Sequence, residues 1–194
     1  IGRLLYKVKN EGIERIHARK CEVYEPIYKD AKVFMDKYHF QGNVASKYRV
    51  GLKYKDELVA VALFGSPRYN KNVQFEIGRY AVKAGCNIPG NFSKIMNYFV
   101  EKYKPESILT YHDLLFGNNS VYEKCGYKAI GTSDPGFYWY KEGKAYNRRG
   151  FWKGMLPKKL SNFDPTISAH NNMRANGYKK ILERGQNVFV WKKD

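Results

Sequence analysis

Between Phe92 and Tyr103, the apolar residues Phe92, Ile95, Met96, Phe99, Val100 and Tyr103 recur at the spacing of one face of an α-helix, for three turns. Pro105 lies just past the last of them, where a helix should stop. β-rich runs flank this helix, Phe75–Val82 before it and residues 107–111 after it. A second helix is predicted upstream, where Ala31, Phe34, Met35 and Tyr38 fall at i, i+3, i+4 and i+7 behind Asp30 as N-cap. Residues 50–54 and 58–64 read as a hairpin around the three-residue loop Lys55-Asp56-Glu57. Residues 120–125 read as a short helix, 127–131 as a strand, and 137–140 as an extended aromatic run. The order helix, hairpin, strand, helix, strand, short helix, strand implies an α+β (mixed α/β) layer architecture. Further on, residues 167–176 read as a helix with Gly177 as its C-cap. Residues 179–182 and 188–191 are expected to pair around Gly185-Gln186-Asn187.

The chain of 194 residues, 43% hydrophobic and 16% aromatic, can bury a sizeable core, which excludes disorder as its main description. It carries 35 Lys and Arg against 18 Asp and Glu, a net charge of +17, so a polyanion is the expected partner, nucleic acid before an anionic membrane surface. Residues 141–194 hold 13 basic and 4 acidic side chains, more than half of the excess. Residues 146–160 contain Arg148, Arg149, Lys153, Lys158 and Lys159 with no acid, interleaved with Tyr146, Phe151 and Trp152. Cations neutralise phosphates and rings stack on exposed bases, so this stretch is the candidate DNA-binding segment. No apolar run approaches the ~20 residues of a membrane span, and no membrane partner is expected. The three cysteines, Cys21, Cys86 and Cys125, lack C-x-x-C spacing. The expectation is reduced thiols in a cytoplasmic protein of a bacterial host, with no metal site. The chain begins at Ile1 rather than Met and is expected to be a piece of a longer protein.

Several polar residues stand at the ends of these elements. His39 ends the first helix, where the dipole alone would stabilise it. Arg79 follows Glu76 at i, i+3 on one strand; the two are expected on opposite faces, so Arg79 needs another anion. His112 and Asp113 follow a strand, at the carboxyl end where open α/β sheets bind ligands; a capped turn is the plain alternative. Gly90, Asn91 and Ser93 open the long helix, whose free N–H groups attract anions or merely mark a cap. There is no Walker loop, no H-N-H-like cluster, no G-I-Y…Y-I-G pair, and no carboxylate group gathered around a lysine, so no nuclease centre is recognised.

The stretch Tyr122-Glu123-Lys124-Cys125-Gly126-Tyr127 is similar to the late helix-to-strand segment of GNAT-fold N-acetyltransferases, and the element order fits that fold. Residues 83–90 lack the Gln/Arg-x-x-Gly-x-Gly/Ala spacing with which GNAT enzymes bind CoA. Lys37-Tyr38-His39-Phe40-Gln41-Gly42, Gly51-Leu52 and residues 59–65 resemble the GNAT-like Mom proteins of phages, which modify adenine in DNA. That resemblance implies candidate catalytic roles for five residues: His39 as an acid, base or binding group, Arg79 for an anionic group, Ser93 and Asp113 lining the site, and Tyr122 as a proton donor or orienter. Over about residues 13–193 the chain also resembles the region after the Vsr-like nuclease domain of phage homing endonucleases. The matching stretches are 16–22, 34–42, 93–98, 107–113, 122–127 and 176–178 with the closing hairpin.

These resemblances imply a GNAT-like central mixed sheet flanked by helices. Residues 1–20 would form a connecting segment, 21–156 the GNAT-like domain, and 157–194 a small basic extension. The expected function is DNA binding within a mobile endonuclease, with a nuclease domain upstream in the same chain. The alternative is a Mom-like transferase that modifies an exocyclic base amine, with acetyl-CoA or another acyl donor as cofactor. A protein-interaction module with a merely solubilising basic face is a third possibility.

Overall fold

The computed structural model describes residues 13–39, 41–114 and 120–193. Phe40 of the Lys37-to-Gly42 motif and residues 1–12 of the expected connecting segment lie outside the described residues. The chain divides into two compact units. The first comprises residues 1–112, 118–131 and 188–194, the second 113–117 and 132–187. The second unit begins before residue 157, and the last residues return to the first.

The first unit is built on a mixed sheet. Its strands are β2 (Glu22–Tyr24), β3 (Tyr48–Tyr54), β4 (Glu57–Gly65), β5 (Phe75–Val82), β7 (Ser107–Asp113), β8 (Lys128–Ser133) and β12 (Gln186–Lys192), in the order β2-β3-β4-β5-β7-β12-β8. A separate parallel pair joins β1 (Glu14–Arg15) to β6 (Cys86–Asn87), which ties residues 13–20 into this unit, with Ile16 and Ala18 buried. Helix α1 (Tyr28–Tyr38) packs Ala31, Phe34 and Met35 on Val61, Leu63 and Ala81. Helix α2 (Asn91–Tyr103) packs Phe92, Ile95, Met96 and Phe99 on the opposite face, against Val50, Leu52, Ala60, Ala62, Phe64 and Ile77. Successive residues of β4 thus serve two layers, as the two-residue period of a strand requires. Phe64 and Phe99 stack with ring centroids 3.8 Å apart. The chain reverses after α2 at Lys104, whose φ of 46° is left-handed, one residue before Pro105.

The second unit contains a three-stranded antiparallel sheet, β10 (Lys144–Asn147), β9 (Phe137–Lys141) and β11 (Lys179–Leu182), in that order. One face covers a small core of Trp139, Leu156, Leu160 and Met173. Helix α4 (Ala169–Ala175) contributes Met173 and is capped by the Ser168 hydroxyl, which accepts the Asn171 N–H. Gly177, just past its end, has φ 81°.

Several expectations need correction. Asp30 is not the N-cap of α1; Ile27 is, and Asp30 sits in the first turn, where its charge still suits the dipole. The hairpin loop has two residues, not three: Lys55 and Asp56 both take positive φ, 48° and 61°, and Glu57 already pairs with Tyr54. β7 runs on through His112 and Asp113, which therefore belong to the strand rather than follow it. Residues 179–182 and 188–191 do not pair with each other. The first joins β9 and the second lies between β7 and β8, because each finds apolar neighbours in a different sheet. The short helix α3 covers only Ser120–Glu123.

Candidate functional site

β5 and β7 run parallel but pair only over Phe75↔Ile108, Glu76↔Leu109 and Ile77↔Thr110. Beyond that point β5 continues to Val82 beside β4, and β7 continues to Asp113. The strands therefore part where both still have residues to run. On the α2 side, an aromatic group gathers beside this parting. Phe92 meets Tyr80, Tyr122 and Tyr127 at 5.1, 5.2 and 6.2 Å between ring centroids, and Tyr122 also packs on His112 and Phe189. Tyr80 donates its hydroxyl to the Asn91 side-chain oxygen, and Asn91 Nδ2 donates to the Ile88 carbonyl at 2.5 Å.

Tyr122 is buried and shares a hydrogen bond with Thr110. Burial pushes its phenol up to about 12, so at neutral pH it can donate a proton but not accept one. Burial raises Tyr80 and Tyr127 as well. Ser93, one turn into α2, lies with its Oγ 3.1 Å from the Cys125 thiol. Cys125 in turn donates its backbone N–H to the Tyr122 carbonyl, in the turn that follows α3.

His39 and Arg79 form another. His39 caps α1, accepts the Gln41 N–H on Nδ1 at 3.1 Å, and so carries its proton on Nε2 when neutral. The Gly42 N–H donates to the His39 carbonyl, and the Gly42 carbonyl accepts from Arg79 Nε at 3.3 Å. Arg79 also donates to the Gly78 carbonyl at 2.7 Å. The expected face of Arg79 is overturned by a bulge. Leu63 pairs with Arg79 and Phe64 with Ile77, leaving Gly78 as an extra residue that restores Glu76 and Arg79 to the same face. Glu76 nevertheless bonds Arg68, not Arg79.

The sheet thus separates the candidates. His39 and Arg79 belong to the α1 face; Ser93 and Tyr122 belong to the α2 face. Asp113, the last residue of β7, falls in the second unit. Gly90 is the left-handed N-cap of α2, while the side chain of Asn91 is committed to Tyr80 and Ile88. An open cleft of about 720 Å³ beside this helix start is lined by Gly90 and Ser93 and by Arg19, Lys94 and Asn97. Sequence reasoning missed Arg19, Lys94 and Cys125, because nothing in their local spacing marks them. Lys94 is held by the Ala18 and Cys21 carbonyls, at 3.1 and 2.5 Å.

All five cations of the candidate DNA-binding segment are exposed and belong to the second unit. Arg148 and Arg149 sit on a 3-10 turn capped by Asn147, and Lys153 and Lys158 bound a second 3-10 segment. Arg148 lies over the Phe137 ring at 5.5 Å. Lys159 donates to the Gly150 carbonyl at 2.6 Å and covers Phe151 at 4.6 Å. Among the described residues, no helix is long and apolar enough to cross a membrane.

No protein-family model matches the chain, and no curated protein matches it. Among solved structures it is similar to a Bacillus subtilis acetyltransferase in complex with CoA, at 13% identity and a TM-score of 0.47, over 90% of this chain and 100% of that one. It is also similar to a GNAT family acetyltransferase from Elizabethkingia anophelis with acetyl-CoA bound, at 13% identity and a TM-score of 0.49, over 90% and 99% of the two chains. A third is the ribosomal-protein-S18-alanine N-acetyltransferase from Escherichia coli, at 8% identity and a TM-score of 0.47, over 89% and 93%.

Proposed function

We propose that the chain is a DNA-binding, GNAT-like domain of a phage-type mobile endonuclease, and that it holds DNA through the basic surface of its second unit. The observation that carries this reading is the charge of residues 132–187, 11 Lys and Arg against 4 Asp and Glu, with Arg148, Arg149, Lys153, Lys158 and Lys159 all exposed. Cleavage would belong to a nuclease domain in the same polypeptide, as the resemblance to the region after Vsr-like nucleases implies. Each phosphate neutralised releases counterions, so affinity falls with salt. Five contacts correspond to a loss of roughly 500-fold in duplex affinity between 50 and 200 mM salt. Fluorescence anisotropy on a labelled duplex across that range is the test. Salt-insensitive binding, or full affinity after all five become Ala, overturns the reading.

A second reading is favoured by the parting of β5 from β7: transfer of an acyl group to an exocyclic base amine. The cleft at the start of α2, with Arg19 beside it, offers an anion-bearing donor such as acetyl-CoA a place to bind. Tyr122 would supply a proton. The base would have to leave the duplex to be reached. Mass spectrometry of nucleosides after co-expression, with calorimetry against acyl-CoA donors, tests it; unmodified DNA and no donor binding sink it.

A further inference from the structure

Residues 146–160 contain three aromatic side chains among the cations, and the structure uses them differently. Tyr146 and Phe151 are half-buried, 5.7 Å apart between centroids, and both pack on Tyr178 at 5.6 Å. They belong to the small core of the second unit. Trp152 does not. It is 61% exposed, between Arg148, Arg149 and Lys153 along the chain, in a stretch with no acidic residue.

The Trp152 ring is nevertheless placed. Its backbone carbonyl accepts the Met155 N–H at 2.8 Å and caps the second 3-10 segment. The six-membered ring lies across Gly154: a methyl group there would fall 2.1 Å from Cζ3 and 2.7 Å from Cη2. The glycine leaves the space in which the ring lies; a side chain there would displace it. The result is an indole laid over backbone and open to solvent, in a stretch of chain rich in cations.

We propose that Trp152 is a stacking platform for an unpaired base of DNA, with Arg148, Arg149 and Lys153 holding the flanking phosphates. This rests on the DNA-binding reading and adds to it the state of the strand. A paired duplex shows the protein only base edges; a ring face can be covered only by a base that is unstacked, as in a single strand, a displaced strand or a flipped nucleotide. Cations alone favour the duplex, which has the higher charge density, so a selective gain for unpaired DNA has to come from the ring.

The test compares binding of the full chain to a fluorescent oligo(dT) and to a hairpin duplex at one salt concentration. W152A is expected to weaken oligo(dT) binding by roughly tenfold or more and to change duplex binding less than twofold. W152F keeps most of the affinity, whereas W152L, equally apolar but without a ring face, does not. G154A displaces the ring without removing it and reproduces W152A. Oligo(dT) quenches the wild-type tryptophan fluorescence, and the quenching disappears in W152F although Trp139 and Trp191 remain. Unchanged oligo(dT) binding in W152A overturns the proposal, as does an equal loss on both ligands or an equal effect of Phe and Leu. If duplex binding with a steep salt dependence survives while Trp152 proves indifferent, the platform alone falls. If no DNA is bound at all, the DNA-binding reading falls with it.

Discussion

Arg68 closes over Glu76 with three contacts: its backbone N–H reaches Oε2 at 2.8 Å, while Nε and a terminal guanidinium nitrogen reach Oε1 at 2.7 and 2.5 Å. Glu76 is 2% exposed, on the strand that parts from β7. Removing the guanidinium strands a buried carboxylate, which costs more than the pair itself contributes. R68M should lower unfolding stability by about 2–3 kcal/mol, discounted because Arg68 is itself partly exposed. Adding E76Q should recover part of the loss. Urea unfolding of both variants checks this.

Alkaline pH should unfold the first unit through its buried phenols. Tyr122 sits at about 12 against an ordinary 10, so the folded state keeps its proton where the unfolded chain loses it. Stability is therefore full below pH 10 and falls as pH rises towards 12, by about 1.4 kcal/mol per pH unit for each such tyrosine. Tyr80 and Tyr127 shift in the same direction and steepen the fall. Y122F should flatten the slope above pH 10 by about one proton, read from denaturant titrations at stepped pH.

In the second unit one amide does the work of a clasp. Asn172, 1% exposed, accepts the Asp164 N–H at 2.8 Å and donates to the carbonyls of Asp164, Ser168 and Ile167 at 2.8, 3.2 and 3.4 Å. N172A leaves these groups unmatched and should cost about 1–3 kcal/mol. N172D should cost more, because a carboxylate would face three carbonyl oxygens. Hydrogen exchange should show the loss within residues 132–187 rather than in the sheet around α2.

Neighbouring lysines should separate stability from binding. Lys158 is exposed, whereas Lys159 holds the Gly150 carbonyl and the Phe151 ring. K158A should reduce the salt slope of DNA binding by about one and leave Tm unchanged. K159A should reduce the slope similarly and also lower Tm. Equal Tm values for the two variants would remove the structural role assigned to Lys159.

The two long helices were legible because each repeats its apolar residues at helical spacing and each meets a flat sheet face. Strand β5 was legible because Phe75–Val82 is rich in β-branched and aromatic residues, follows the polar stretch Asn70-Lys71-Asn72 and is followed by Lys83-Ala84-Gly85. The hairpin loop was misjudged by one residue because left-handed backbone at Lys55 and Asp56 carries no glycine to announce it. The bulge at Gly78 is marked only by a glycine inside the strand, which does not give the register, yet it inverts the face of Glu76 relative to Arg79 and so changes what the strand presents. β10 was missed because Lys-Ala-Tyr-Asn has no apolar alternation, being drawn into a sheet by Trp139 and Tyr138 on β9. The pairing of β11 and β12 was misread because proximity in sequence favours a hairpin, while burial of Phe189 and Val190 recruits β12 to the larger sheet. The candidate polar residues were individually visible; their division between two faces of a sheet was not, since it depends on which helix covers which side.

β8 and β12 are neighbours in the sheet, and the chain between them is residues 134–185. Seen as a path, nearly all of the second unit is a detour between adjacent strands. Shortening such a connection tenfold alters its closure entropy by only about 2 kcal/mol. The length of the detour therefore weighs little on the larger sheet, whose strands from β2 to β7 take their order without it. Eleven of the chain's 35 Lys and Arg are thus carried on a connection between two neighbouring strands rather than on the framework it interrupts.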